Sequence, residues 1–182
     1  MKDTRKALLI IDMQKGSFVP ETPRYDTEGV VRRINQISKM FRKNNDPVVH
    51  IQHDGTRFDD FIPHTKRWEI LDEIDFSTTD LRIDKYANDV FYQSYLHDVL
   101  QSKSINHLYI TGCATDFCVE SSVQSALTKD YMVTVVEDGH TTGERPHIPA
   151  QKVIAHYNWI WRNMIPTQGY IEVATASEII KS

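Results

Sequence analysis

Ala7-Leu8-Leu9-Ile10-Ile11-Asp12 is the stretch that decides the fold. An unbroken apolar run of this length, without polar alternation, describes a strand covered on both faces, as in a parallel sheet packed between helices. Asp12 ends the run and falls at the carboxyl end of the strand. Downstream, Val30, Val31, Ile34, Ile37, Met40 and Phe41 recur at helical spacing, and Asn44-Asn45-Asp46-Pro47 stops that helix. A second strand follows from Val48 to Gln52, which completes a βαβ unit.

The pattern continues along the chain. Residues His53 to Asp80 have mixed polarity and include Pro63 and Trp68, consistent with an active-site loop carrying one short helix. Leu81 and Ile83 alternate with Arg82 and Asp84 in a third strand, and the period of two puts Lys85 on the face of Leu81 and Ile83. A helix around Ser94 to Lys103 leads to a strand from His107 to Thr111, then to Gly112 and two cysteines. The next helix begins near Cys118, with Val119, Val123, Ala126 and Leu127 as its apolar stripe. Tyr131 to Val136 form a strand ended by Glu137-Asp138-Gly139, and a last strand lies near Tyr170 to Val173. This alternation predicts an α/β fold: an open, mostly parallel, doubly wound, Rossmann-like sheet with helices on both faces. Ligands in such sheets bind beyond the carboxyl ends of the strands, where Asp12, Lys85 and the Gly112 to Cys118 loop would converge.

Composition narrows the function. The chain has 182 residues, enough for one sizeable core, and is read as a single domain, 1–182. Net charge is −4, and no stretch gathers the Lys and Arg needed to track a phosphate backbone, so nucleic acid is not an expected partner. The run at Ala7 to Ile11 is far shorter than the roughly 20 residues that span a bilayer. A soluble, cytoplasmic protein without a membrane partner is expected. Cys113 and Cys118 share one turn-rich segment, which suits neither a secreted disulfide framework nor a paired zinc knuckle.

A cysteine attacks as its thiolate, and a free pKa of about 8.5 leaves little thiolate at neutral pH. At a helix start, unpaired N–H groups and the helix dipole stabilise a Cys118 thiolate, and the same N–H groups can hold an oxyanion. Asp12 is suited to take the thiol proton and return it to a leaving nitrogen. Lys85, following two apolar residues, is suited to orient Asp12 and stabilise developing negative charge.

Together, Leu9-Ile10-Ile11-Asp12-Met13-Gln14, Lys85 with Asn88 to Phe91, and Thr111-Gly112-Cys113-Ala114-Thr115-Asp116-Phe117-Cys118-Val119 resemble the isochorismatase-like cysteine hydrolases, the family of nicotinamidases and N-carbamoylsarcosine amidases. The resemblance covers most of the chain. It implies a catalytic triad of Asp12, Lys85 and Cys118, an oxyanion hole from the backbone N–H groups of Ala114 and Cys118, and a cis peptide between Cys113 and Ala114. The implied reaction is attack of Cys118 on the carbonyl of a small amide, ureido or carbamoyl compound, release of the amine, and hydrolysis of a thioester, with no cofactor. Isochorismatases proper lack the nucleophilic cysteine, so Cys118 points toward amide hydrolysis.

Two departures bear on the substrate. Nicotinamidases of this family carry an Asp-x-His metal motif after the second strand, whereas the matching stretch here reads Gln52-His53-Asp54-Gly55. No metal is assigned: His50, His53, Asp54 and His64 are ligand types, but His50 and His53, three apart in a strand, point to opposite faces. Gln52 and His53 are instead read as pocket residues. Many relatives place an aromatic five residues after the aspartate, where Ser17 stands, and Phe18 comes one later. Phe18, Phe58, Phe61, Trp68 and Phe117 are candidate pocket walls.

The last helical stripe, Val153, Ile154, Tyr157, Ile160, Trp161 and Met164, faces the sheet, which turns Trp159 outward beside Ala155 and Arg162. A homo-oligomer, dimer or tetramer, is expected, with the Trp159 face as candidate interface. Alternative readings are an isochorismatase-type or nicotinamidase-type hydrolase and, from another class, a noncatalytic thiol-sensing module using Cys113 and Cys118.

Overall fold

The computed structural model describes residues 4–181. Strand β1 (Lys6–Ile11) lies inside a parallel sheet, pairing with β2 (Val48–His53) on one side and β4 (His107–Cys113) on the other. β3 (Leu81–Lys85) extends the sheet beyond β2, and β5 (Met132–Thr141) and β6 (Ile171–Ala174) extend it beyond β4. The order is β3-β2-β1-β4-β5-β6. The direction of winding reverses between β1 and β4, which opens a crevice at their carboxyl ends.

The continuous apolar run of β1 divides between two cores. Leu8 and Ile10 pack under α1 (Thr27–Lys43) with Ile34, Ile37 and Phe41, beside α5 (Ala176–Lys181). Ala7, Leu9 and Ile11 face α2 (Leu96–Ser102), α3 (Glu120–Thr128) and α4 (Ala150–Arg162) through Leu96, Val123 and Trp161. Each fully buried aliphatic or Phe side chain contributes about 1.5–3 kcal/mol. Phe41, fully buried, is therefore the residue of α1 whose truncation would loosen it most, at about 3–5 kcal/mol. Arg42 and Lys43 in the last turn suit the negative end of the helix dipole, and Asn44 ends the helix.

The stripe of α4 meets the sheet as its spacing indicates: Tyr157, Ile160 and Met164 pack on the core while Trp159 is 61% exposed. α5 has no counterpart in the sequence reading. Glu137-Asp138-Gly139 does not end the fifth strand, which runs on to Thr141. A register shift between Ile110 and Gly112 lets His140 pair with Gly112 and Thr141 with Cys113. This bulge absorbs the polar residues without ending the ladder. No helix among the described residues is long and apolar enough to cross a membrane.

Candidate active site

Three chain segments meet where β1, β3 and β4 end. Asp12 follows β1 in a left-handed conformation, φ 50°, that Asp tolerates better than most residues. Its N–H still bonds Ile51 O at 2.9 Å, so the side chain is fixed by the sheet itself. On β4, Gly112 has φ 119°, and a Cβ there would stand 2.1 Å from Ile11 O. Only glycine permits this approach of β4 to β1. The peptide between Cys113 and Ala114 is cis. A π-helical turn, Thr115–Val119, follows directly and carries Cys118 before α3 begins.

Lys85 reaches this point from β3 with its side chain fully buried. Its ammonium bonds Asp12 Oδ2 at 2.8 Å, Ala87 O at 2.8 Å and Cys118 Sγ at 3.3 Å, which uses all three N–H donors. Asp12 Oδ1 is buried without a hydrogen-bond partner. Cys118 Sγ also lies 3.6 Å from Asn88 Oδ1.

Burial alone would lower the Lys85 pKa, but the charges of Asp12 and Cys118 outweigh it and raise it, so the ammonium is kept. Burial, reinforced by the Asp12 carboxylate and opposed by Lys85, pushes the Cys118 thiol far up. The resting site is therefore an Asp12–Lys85 ion pair beside a neutral thiol. This differs from the thiolate expected of a helix start alone. Cys113 is fully buried and pushed up to about 12 by burial, which leaves it unreactive.

The π-helical turn that carries Cys118 is held from behind. His140 Nδ1 lies 2.9 Å from Thr115 Oγ1, and its Nε2 lies 3.1 Å from Asn158 Oδ1. Asn158 donates its amide N–H to Glu137 O at 3.0 Å, which points its oxygen at His140. His140 Nε2–H therefore donates and Nδ1 accepts the Thr115 hydroxyl, a neutral tautomer in keeping with a pKa lowered by burial to about 4. On the open side, Asp116 receives both Arg145 nitrogens at 2.7 and 2.8 Å and the Thr142 hydroxyl at 2.7 Å.

Cys118 opens into a cavity of about 390 Å³ lined by Ser17, Arg24, His53, Phe61, Arg67, Asn88, Phe117 and Arg145, among others. Of the expected pocket residues, His53, Phe61 and Phe117 line it. Burial and the Lys85 charge lower the His53 pKa, so this ring is neutral at pH 7. Phe18, Gln52, Phe58 and Trp68 do not line it. A 3-10 turn at Lys15–Ser17 aims Ser17 at the cavity and sends Phe18 into a separate groove along α1 with Val31 and Leu71. Gln52 is buried inside the fold and donates to Trp68 O at 2.8 Å. Gln14 donates to the same carbonyl at 2.9 Å, so both glutamines tether the loop rather than meet a ligand. Trp68 is buried beneath Arg82. Three arginines were missed, because loop residues carry no periodicity that would aim them.

His50 turns away from the site and bonds Asp80 at 3.0 Å. Among the described residues, no group of three or more His, Cys, Asp or Glu is placed to hold a metal ion.

A similar solved structure, an isochorismatase family protein, superposes with a TM-score of 0.86 at 27% identity, covering 93% of this chain and 98% of that one. Streptothricin hydrolase of Streptomyces noursei is 26% identical over 144 residues, 79% of this chain and 57% of that protein. Ureidoacrylate amidohydrolase RutB of Caulobacter vibrioides is 36% identical over 77 residues, 42% of this chain and 34% of that protein. The chain thus spans just over half of the first relative's length and about a third of the second's. The isochorismatase domain model matches residues 6–159, across five of the six strands and the whole convergence of Asp12, Lys85 and Cys118, and on that match the chain belongs to the isochorismatase family.

Proposed function

We propose that this chain is a cysteine-dependent hydrolase that cleaves the carbon–nitrogen bond of a small amide, ureido or carbamoyl compound through a thioester. One observation carries the reading: Lys85 bonds both Asp12 Oδ2 and Cys118 Sγ, while Asp12 Oδ1 is left unpartnered beside a cavity. A carboxylate with one oxygen held and one free is arranged to accept a proton.

In this mechanism Asp12 takes the Cys118 proton as sulfur attacks the substrate carbonyl carbon. The carbonyl π electrons move to oxygen, where the backbone N–H groups of Ala114 and Cys118 are proposed to receive the negative charge. When the tetrahedral adduct collapses, the C–N bond breaks and the leaving nitrogen takes the proton from Asp12. Asp12 then deprotonates a water that attacks the thioester, and sulfur leaves with that proton. Lys85 keeps its charge throughout and offsets the negative charge passed between Asp12 and Cys118.

The names of streptothricin hydrolase and ureidoacrylate amidohydrolase support hydrolysis at such a bond. The thiol-sensing alternative is disfavoured by Cys113, since a buried thiol with a pKa near 12 resolves a sulfenic acid poorly. Ammonia release from a panel of amides, nicotinamide, ureas and carbamoyl compounds tests the proposal. Wild type should turn over at least one member and form an acyl adduct detectable by intact mass, and Cys118→Ala should do neither. Equal turnover by Cys118→Ala overturns it.

A further inference from the structure

Three arginines line the cavity in front of Cys118, and they are not equivalent. Arg145 is clamped by Asp116 and lies over the Phe117 ring at 5.0 Å. Arg67 is bonded to Asp60 at 2.7 and 3.1 Å and lies over Phe61 at 5.4 Å. Each of these cations is neutralised by its own carboxylate and acts as backing for an aromatic wall. Arg24 has no ion-pair partner among the described residues.

Arg24 is nonetheless held in place. Its Nε donates to Ser17 O at 2.7 Å, and its backbone bridges Gly143. The neighbouring Tyr25 N–H bonds Thr142 O at 2.9 Å. The guanidinium is therefore anchored through Nε, with its terminal nitrogens uncommitted to any carboxylate. The other charges at the cavity cancel in pairs: Asp12 with Lys85, Asp60 with Arg67, Asp116 with Arg145. One fixed positive charge remains, half-buried, where field lines are focused by the cavity walls.

We infer that Arg24 is a specificity residue that receives a carboxylate on the substrate, so that the compound cleaved is an N-carbamoyl or ureido acid rather than a neutral amide. The inference rests on the amide-hydrolase reading above and names its substrate class. A planar guanidinium offers a pair of parallel N–H donors, the geometry that suits a carboxylate. The ureido group then extends between the Phe61 and Phe117 walls toward Cys118. A neutral substrate would leave the Arg24 charge without a counter-charge as water is displaced, which costs affinity.

The test compares N-carbamoylglycine and N-carbamoyl-β-alanine with the alcohols in which CH2OH replaces the carboxylate. Binding is measured calorimetrically to Cys118→Ala, so this readout is independent of turnover; kcat/KM is measured on wild type. The acids should bind about 10- to 100-fold more tightly than their alcohols, the range for a hydrogen bond to a charged group. Adding Arg24→Gln should remove that preference, and Arg24→Lys, which keeps the charge without the fork, should restore part of it. In the Cys118-intact enzyme the Arg24→Gln loss should fall mainly on KM for the acids. An acid-to-alcohol ratio near one in Cys118→Ala, including failure of both to bind, or a ratio unchanged by Arg24→Gln, overturns the inference. Acid-selective binding without turnover retains it and overturns the hydrolase reading instead.

Discussion

The Lys85 ammonium lies 2.8 Å from Asp12 Oδ2 although their strands are not neighbours: β2 runs between them. The long lysine side chain crosses beneath the end of β2, fully enclosed, to reach a carboxylate that is itself buried. Such a pair is held by the geometry of the sheet. Removing one partner strands the other charge away from water.

Lys85→Met should accordingly destabilise the protein by about 3–5 kcal/mol, the usual cost of breaking a buried ion pair. Activity should fall on the order of 10³-fold or more, as for members of catalytic triads. Urea unfolding and single-turnover kinetics on the same preparation check both.

Gly112→Ala should be more damaging than its one added methyl group suggests. The new Cβ meets Ile11 O at 2.1 Å and demands a φ of 119° that L residues avoid. A loss of about 3 kcal/mol or more is expected, read as a lowered denaturant midpoint.

His140→Gln tests the support behind the nucleophile turn. The substitution disturbs the Thr115–His140–Asn158 chain while leaving Asp12, Lys85 and Cys118 in place. A fall of about tenfold in kcat with little change in KM is expected, because a shift of the turn misplaces sulfur more than it alters the cavity. Steady-state kinetics decides.

The same histidine gives a pH signature. His140 and His107 are both held near 4 by burial, against 6.5 for an ordinary histidine. Above pH 6.5 neither state binds the proton and the native stability is complete. Between 6.5 and about 4 the unfolded chain binds it and the native protein does not, so stability falls as pH falls, by roughly 3 kcal/mol per histidine. Below about 4 both states are protonated and this contribution levels off. Urea melts at pH 7 and pH 4.5 should show a smaller loss for His140→Gln than for wild type.

Legibility followed the kind of physics involved. β1 was readable as an unbroken apolar run, and α1 and β3 because one-sided burial imposes a period on them; Asp12 and Lys85 were readable because they stand at the carboxyl ends of such strands. The extension of β5 was not, since Glu137-Asp138-Gly139 looks like a strand end and is carried through by a bulge set by β4. The roles of Gln52 and Trp68 depend on a loop whose path is fixed by hydrogen bonds from residues far along the chain. Arg24 was invisible for the same reason: its significance lies in which carboxylates the other two arginines have taken.

Asp12, Lys85 and Cys118 all stand at strand ends or in the turn right after one, whereas Arg24, Phe61 and Arg67 come from connecting segments between 18–26 and 54–80. Under the proposed function, the residues assigned to bond cleavage and these three residues of the cavity wall are thus encoded in different parts of the chain, whereas Phe117 shares the turn of Cys118. Substitutions in those two segments can therefore reshape the cavity without touching Asp12, Lys85 or Cys118.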